Sequence, residues 1–232
     1  FNKRGKNGIR EAKRNVEKVK ENYNKLKDLK KTNKPKKAAS KTAKAAKEEN
    51  IVFHAFHAPW THTAAMWDES RKERASQGVK DLCHFLELCS NLQIPIMVSH
   101  VYVGFDKPCV PTDFGLENYG KVIDRSQELG VKIAFENTEG EEGLNALLTT
   151  YRDRENIGFC WDSGHEMCYN YSKDLLHLYG DRLLITHIND NLGIKDFGGK
   201  TFWHDDLHLL PFDGIGDWDY NAKRLSKSRE TE

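Results

Sequence analysis

No stretch of this 232-residue chain is apolar for anything near the roughly 18–20 residues of a membrane span, so no membrane segment is expected. The basic N-terminus has no apolar segment behind it, and nothing argues for secretion. Cysteine is scarce: Cys83, Cys89, Cys109, Cys160 and Cys168 form an odd set without a C-x-x-C pair. That fits free thiols in a reducing cytoplasm better than a disulfide framework. No Gly-x-Ser-x-Gly elbow occurs, no cysteine sits in a recognisable nucleophile context, and Gly198-Gly199 lacks the flanking strand and helix of a dinucleotide loop. Nor is there an overall excess of one charge: the net is +1.

That balance conceals a split. Residues 1–50 carry 18 Lys/Arg against 6 Asp/Glu, whereas the remainder carries 18 against 29. A basic arm is joined to an acidic body. Within the arm, Ile9, Val16, Val19, Tyr23, Leu26 and Leu29 recur at helical steps among lysines and glutamates. Residues 31–47 are almost all Lys, Ala, Ser and Thr around Pro35, and read as a solvated linker or frayed helix. Without an arginine cluster or a base-stacking aromatic in that stretch, a specific nucleic-acid role is not expected.

From residue 51 short apolar runs alternate with amphipathic stretches. The runs are Ile51–Phe56, Ile94–Ser99, Val131–Phe135, Ile157–Trp161 and Leu183–Thr186. Between them, Val79, Leu82, Phe85, Leu86 and Cys89 keep helical spacing, as do Leu116, Tyr119, Ile123 and Leu129 before Gly130. Such alternation predicts parallel strands joined by helical crossovers, an α/β fold.

The residue that ends each run carries the chemistry. The five runs lead into His57, His100, Glu136, Asp162 and His187. The steps from 136 to 162 and from 162 to 187 are each one strand–helix unit, and in α/β barrels strand C-termini ring a single site. Imidazoles with carboxylates suit Zn²⁺ or Mn²⁺. Taken singly, each residue has a plainer reading; Asp162, in Asp162-Ser163-Gly164-His165, could simply cap a helix. The aperiodic stretch 188–216 adds Asp206 and His208, which share a side if that piece is extended. Trp60 and Trp161 adjoin candidate ligands, and either could wall a sugar ring.

At these residues the chain resembles the xylose isomerase-like barrel superfamily. That group holds sugar-phosphate isomerases and epimerases and the apurinic-site endonucleases of the endonuclease-four class. The matching segments are HAPW (57–60), SH (99–100), ENTEG (136–140), WDSGH (161–165), THINDN (186–191) and DDLHLLPFDGIGDW (205–218). The resemblance implies a (β/α)8 TIM barrel over residues 51–232, with 1–50 as a separate arm. Five strands, the family's third to seventh, are recognisable. Strands 1, 2 and 8 are not, so the barrel reads as incomplete, truncated or completed by another chain, and the Ile9–Leu29 helix is a candidate cover for the gap.

By the same resemblance Glu136, Asp162 and His187 are metal ligands, normally joined by an eighth-strand glutamate to which neither Glu230 nor Glu232 can be assigned. Glu136 and His165 are the candidates for proton transfer. His57, His100, Trp60, Asp206 and His208 are expected to line the substrate pocket. In the endonucleases, the positions of His57, His100, His165, Asp206 and His208 supply further zinc ligands. The expected function is a Zn²⁺- or Mn²⁺-dependent isomerase or epimerase working through a metal-stabilised enediolate. Its partner is a small-molecule sugar or sugar phosphate in the cytoplasm, with no membrane or nucleic acid and with a homo-oligomer allowed. Lacking the eighth-strand glutamate, this chain is expected to exchange an α-proton more readily than it inverts the centre. The alternatives are an endonuclease with a multinuclear zinc site, which the acidic body opposes, and a degenerate barrel serving as a binding module.

Overall fold

The computed structural model describes residues 35–104, 107–170, 173–193 and 202–228, with backbone alone at 35–40 and 202–203. The Ile9–Leu29 pattern, Gly198-Gly199, Glu230 and Glu232 lie outside the described residues. The chain divides into two units, Phe1–Val52 and Phe53–Glu232. In the first, the Lys/Ala-rich stretch is helical as α1 (Pro35–Glu48). Alanine and lysine are strong helix formers, and proline is tolerated at the first position, where its missing N–H leaves no bond unmade.

In the second unit the strands are β1 (Ala55–His57), β2 (Ile96–His100), β3 (Lys132–Glu136), β4 (Ile157–Asp162) and β5 (Leu183–His187). They form one parallel sheet in the order of the sequence. β1 is shorter than its apolar run suggests, because the chain comes into register with β2 only at Ala55, opposite Ile96. β1 and β5 are the edges of the described sheet.

The connecting helices are α2 (Thr63–Met66), α3 (Lys72–Asn91), α4 (Asp113–Leu129), α5 (Glu141–Thr150), α6 (Ser163–Tyr169), α7 (Leu175–Tyr179) and, after β5, α8 (Trp218–Leu225). α4 shows both end signals. The Thr112 side chain accepts the Gly115 N–H, and Gly130 ends the helix at φ 66°, a left-handed conformation that costs glycine nothing. α8 begins at Trp218, since the Asp217 side chain accepts the Tyr220 N–H and starts it there.

Side-chain alternation sorts each strand onto two faces. Met97, Ile133, Phe135, Ile157, Phe159, Trp161 and Leu183 pack with Leu82, Leu86, Ile123, Leu144, Leu147 and Leu175 in the main core. The opposite face is lined by the smaller Val98, Ala134 and Cys160, flanked by Ala55 and Ile185. Trp161 therefore belongs to the core layer and is fully buried, so it walls no cavity. All five cysteines are free thiols. Among the described residues, no helix is long and apolar enough to cross a membrane.

Candidate active site

The inner-face residues Ala55, Val98, Ala134, Cys160 and Ile185 each stand two positions before His57, His100, Glu136, Asp162 and His187. With a side-chain period of two, all five strand-end groups emerge on that same face at the C-terminal rim. They line a cavity of about 930 Å³, joined there by Trp60, His165, Asp206 and His208. Of the site residues expected from the sequence, all but the alternative wall Trp161 thus reach one cavity.

Glu136 is its hub. Its side chain is buried, and Oε2 accepts from His57 Nε2 at 2.9 Å and His100 Nε2 at 3.0 Å, while Oε1 accepts from His187 Nδ1 at 2.9 Å. Burial alone would raise this carboxyl. The hydrogen bonds from His100, His187 and His57 outweigh it and hold the group well below the ordinary carboxylate range. His165 Nδ1 stands 3.4 Å from Oε1 and donates to the Asn137 carbonyl at 2.8 Å. Burial opposes charge on His165, yet Asp206, Asp162 and Glu136 together carry it up to about 10. His100, buried with less compensation, is shifted down.

Asp162 both caps a helix and lines the site. Its Oδ1 accepts the His165 backbone N–H at 2.8 Å, starting α6, and its two oxygens accept from Asn189 Nδ2 at 2.9 and 3.0 Å. Gly164 makes that second contact possible: a Cβ there would fall 1.8 Å from Asn189 Oδ1. Burial raises the Asp162 carboxyl despite the opposing pull of His165.

Asp206 and His208 meet the cavity by another route than strand alternation. No strand runs through them, and His208 sits at φ 49°. Instead Asn191 Oδ1 accepts the Leu207 and His208 N–H groups at 2.6 and 3.2 Å, and its Nδ2 donates to Asp206 Oδ1 at 3.2 Å. Asp206 Oδ2 lies 3.2 Å from His165 Nε2 and accepts from Tyr169 Oη at 3.1 Å. Behind this clamp stands buried Asp190, whose carboxylate accepts the N–H groups of Asn191, Phe212, Gly214 and Gly216 and the Trp218 indole, at 2.8 to 3.1 Å. Asp190→Ala should lower the unfolding free energy by about 3 kcal/mol, since five donors lose one buried acceptor; a chemical melt reads this directly.

Thr138, Glu139, Tyr169 and Asn189 also line the cavity and were not singled out from the sequence. Thr138 and Glu139 fall within the ENTEG segment and Asn189 within THINDN; Asn189 also stands two residues after His187 on a chain leaving its strand.

A model of the xylose isomerase-like TIM barrel family matches residues 16–230. The chain belongs to this family. The match begins inside the segment that composition sets apart as a basic arm. A Sinorhizobium fredii relative, the uncharacterized protein y4fM, is 33% identical over 166 residues, covering 64% of this chain and 49% of its own. The chain therefore spans about half the length of that relative. Among solved structures, IolI with a bound zinc atom is 20% identical with a TM-score of 0.65, over 89% of this chain and 72% of IolI. A D-tagatose 3-epimerase-like protein is 17% identical with a TM-score of 0.62, over 82% of this chain and 72% of its own. At those identities the likeness is one of fold.

The donor set fits a divalent metal. His57, Glu136 and His187 bring ligand atoms within 4.8 Å of one another, and Asp162, His165 and His208 do the same. His187 Nδ1 joins the groups, at 2.9 Å from Glu136 and 3.7 Å from Asp162. Carboxylates mixed with imidazoles suit a borderline cation such as Zn²⁺ or Mn²⁺. One grouping places His57 beside Glu136 and His187, whereas the sequence pattern pairs those two with Asp162.

Proposed function

We propose that this chain is a divalent-metal-dependent isomerase or epimerase of a sugar or related polyol, acting by proton transfer beside a carbonyl. The observation that carries the reading is Glu136: a buried carboxylate kept ionised by three imidazoles, at the rim of a sugar-sized cavity, with Asp162 alongside. Glu136, Asp162 and His187 would hold the cation, with His57 in reach. A bound cation supplies Lewis acidity toward a carbonyl oxygen and its neighbouring hydroxyl.

The chain's own groups do the rest. An ionised Glu136 is a base able to take the proton from the hydroxyl-bearing carbon next to that carbonyl, leaving the electron pair in the enediolate. The imidazoles on its two oxygens fix its direction. His165, between Glu136 and Asp206, is the second group placed to move a proton. Trp60 lies against His100 with near-parallel rings at 6.1 Å, presenting an apolar wall to a sugar's C–H face. Asn189, donating to both Asp162 oxygens, orients that carboxylate, so Asn189→Ala should weaken Zn²⁺ binding about 10- to 100-fold, measured by competition with a chromogenic chelator.

Incubation with ketoses in D₂O and Mn²⁺, followed by NMR at the α-carbon, tests the reaction. Deuterium incorporation supports it. The second ligand grouping, Asp162 with His165 and His208, is the one observation that favours an apurinic-site endonuclease instead. Cleavage of abasic DNA without exchange into any ketose would establish that alternative and overturn the isomerase.

A further inference from the structure

Four carboxylates line the cavity, Glu136, Glu139, Asp162 and Asp206, and among its described lining residues there is neither lysine nor arginine. Three of the four are occupied with the site's own histidines or Asn189. Glu139 is different. Its Oε1 accepts the Gly104 N–H at 2.7 Å, its carboxylate shows no side-chain hydrogen bond among the described residues, and no step of the proton transfer needs it. The loop presenting it is tied down. Thr138 Oγ1 donates to the Tyr102 carbonyl at 2.8 Å, and Tyr102 Oη donates to the Lys107 carbonyl at 2.7 Å. Gly140, at φ 87°, approaches Tyr102 so closely that a Cβ would lie 2.7 Å from the tyrosine Cβ.

We propose that Glu139 is a substrate-binding residue that accepts hydroxyl hydrogens from an uncharged polyhydroxy ketose and sets the cavity against the phosphate ester of the same sugar. The inference deepens the proposed reaction and rests on it. An ionised carboxylate only accepts hydrogen bonds, and a sugar hydroxyl can donate one; a phosphate dianion offers acceptors and a like charge. The guanidinium or ammonium that ordinarily balances a phosphate is lacking among the described lining residues. Burial raises the Glu139 carboxyl to about 7 against the Gly104 hydrogen bond, so binding is best measured at pH 8, where the group is mostly charged.

The test is ligand-observed NMR on the Zn²⁺-loaded full chain at pH 8, titrated with D-fructose, D-tagatose and their 6-phosphates. At least one free sugar should bind about tenfold or more tightly than its ester, a gap expected of one unbalanced like-charge contact. Glu139→Gln keeps an acceptor for the Gly104 N–H but drops the charge, and should narrow the gap to about threefold while weakening the free sugar. An ester that matches or beats its sugar in the wild type overturns the proposal and leaves the proton transfer standing. A gap unchanged in a Glu139→Gln chain of normal zinc content and melting temperature reduces Glu139 to a loop anchor and also overturns it. Binding of no ligand overturns it too, and only an added failure of deuterium exchange would count against the reaction itself. Should Glu139→Gln not fold, the wild-type ratio still decides.

Discussion

Glu136→Gln should slow exchange of a ketose α-proton with solvent about a thousandfold, within the range lost when a positioned general base is removed. The substitution is nearly isosteric, so the cavity keeps its shape. Its chemistry changes twice over. An amide cannot take the proton, and its NH₂ must face imidazole nitrogens that now donate to a carboxylate at 2.9 to 3.0 Å. At least one of His57, His100 and His187 has to change tautomer or turn away. Deuterium incorporation at the α-carbon, followed by NMR with Mn²⁺ present, measures the loss. Exchange retained at a tenth or more of the wild-type rate would remove Glu136 from the role of base.

How much of this was legible beforehand follows from side-chain parity. An apolar run that ends in an ionisable residue marks where a strand leaves the core, and the small residue two places earlier shares its face. That made His57, His100, Glu136, Asp162 and His187 readable as one set, and their convergence needed only the parallel order. The same parity, carried one step further, separates the two tryptophans: Trp161 is in phase with Ile157 and Phe159 and so belongs under the helices. Other features had no periodic trace. Glu139 and Thr138 sit on a loop whose course depends on Tyr102 and Gly104, thirty-odd residues away. The Asp206–His208 pair stands out by residue type, and would share a side if that piece were extended. What places it is instead the Asn191 clamp backed by Asp190, which gathers backbone N–H groups that no composition reveals. Asp162 shows why choosing between a helix cap and a site residue can be a false choice: one oxygen caps α6 while both are held by Asn189 at the cavity.

That dual role sets the second large effect. Asp162→Ala should cut Zn²⁺ or Mn²⁺ affinity about a hundredfold or more, beyond the 10- to 100-fold range of an orienting partner such as Asn189. The cut also removes the cap on α6 and strands the Asn189 amide, so stability should fall by about 1–2 kcal/mol. Two controls keep these losses apart. Cys160→Ala, two residues away on the same inner face, touches the packing beneath the site but supplies no ligand, and should bind metal normally. Asp162→Asn retains an oxygen for the His165 N–H and so preserves much of the cap, but it lacks the charge that attracts a cation; it should melt near the wild type and still bind metal poorly. Chelator competition alongside thermal unfolding reads both quantities on each variant. If Asp162→Asn and Cys160→Ala hold metal equally well, Asp162 serves the fold alone, and the cation must be sought among His57, Glu136 and His187, whose ligand atoms lie within 4.8 Å of one another.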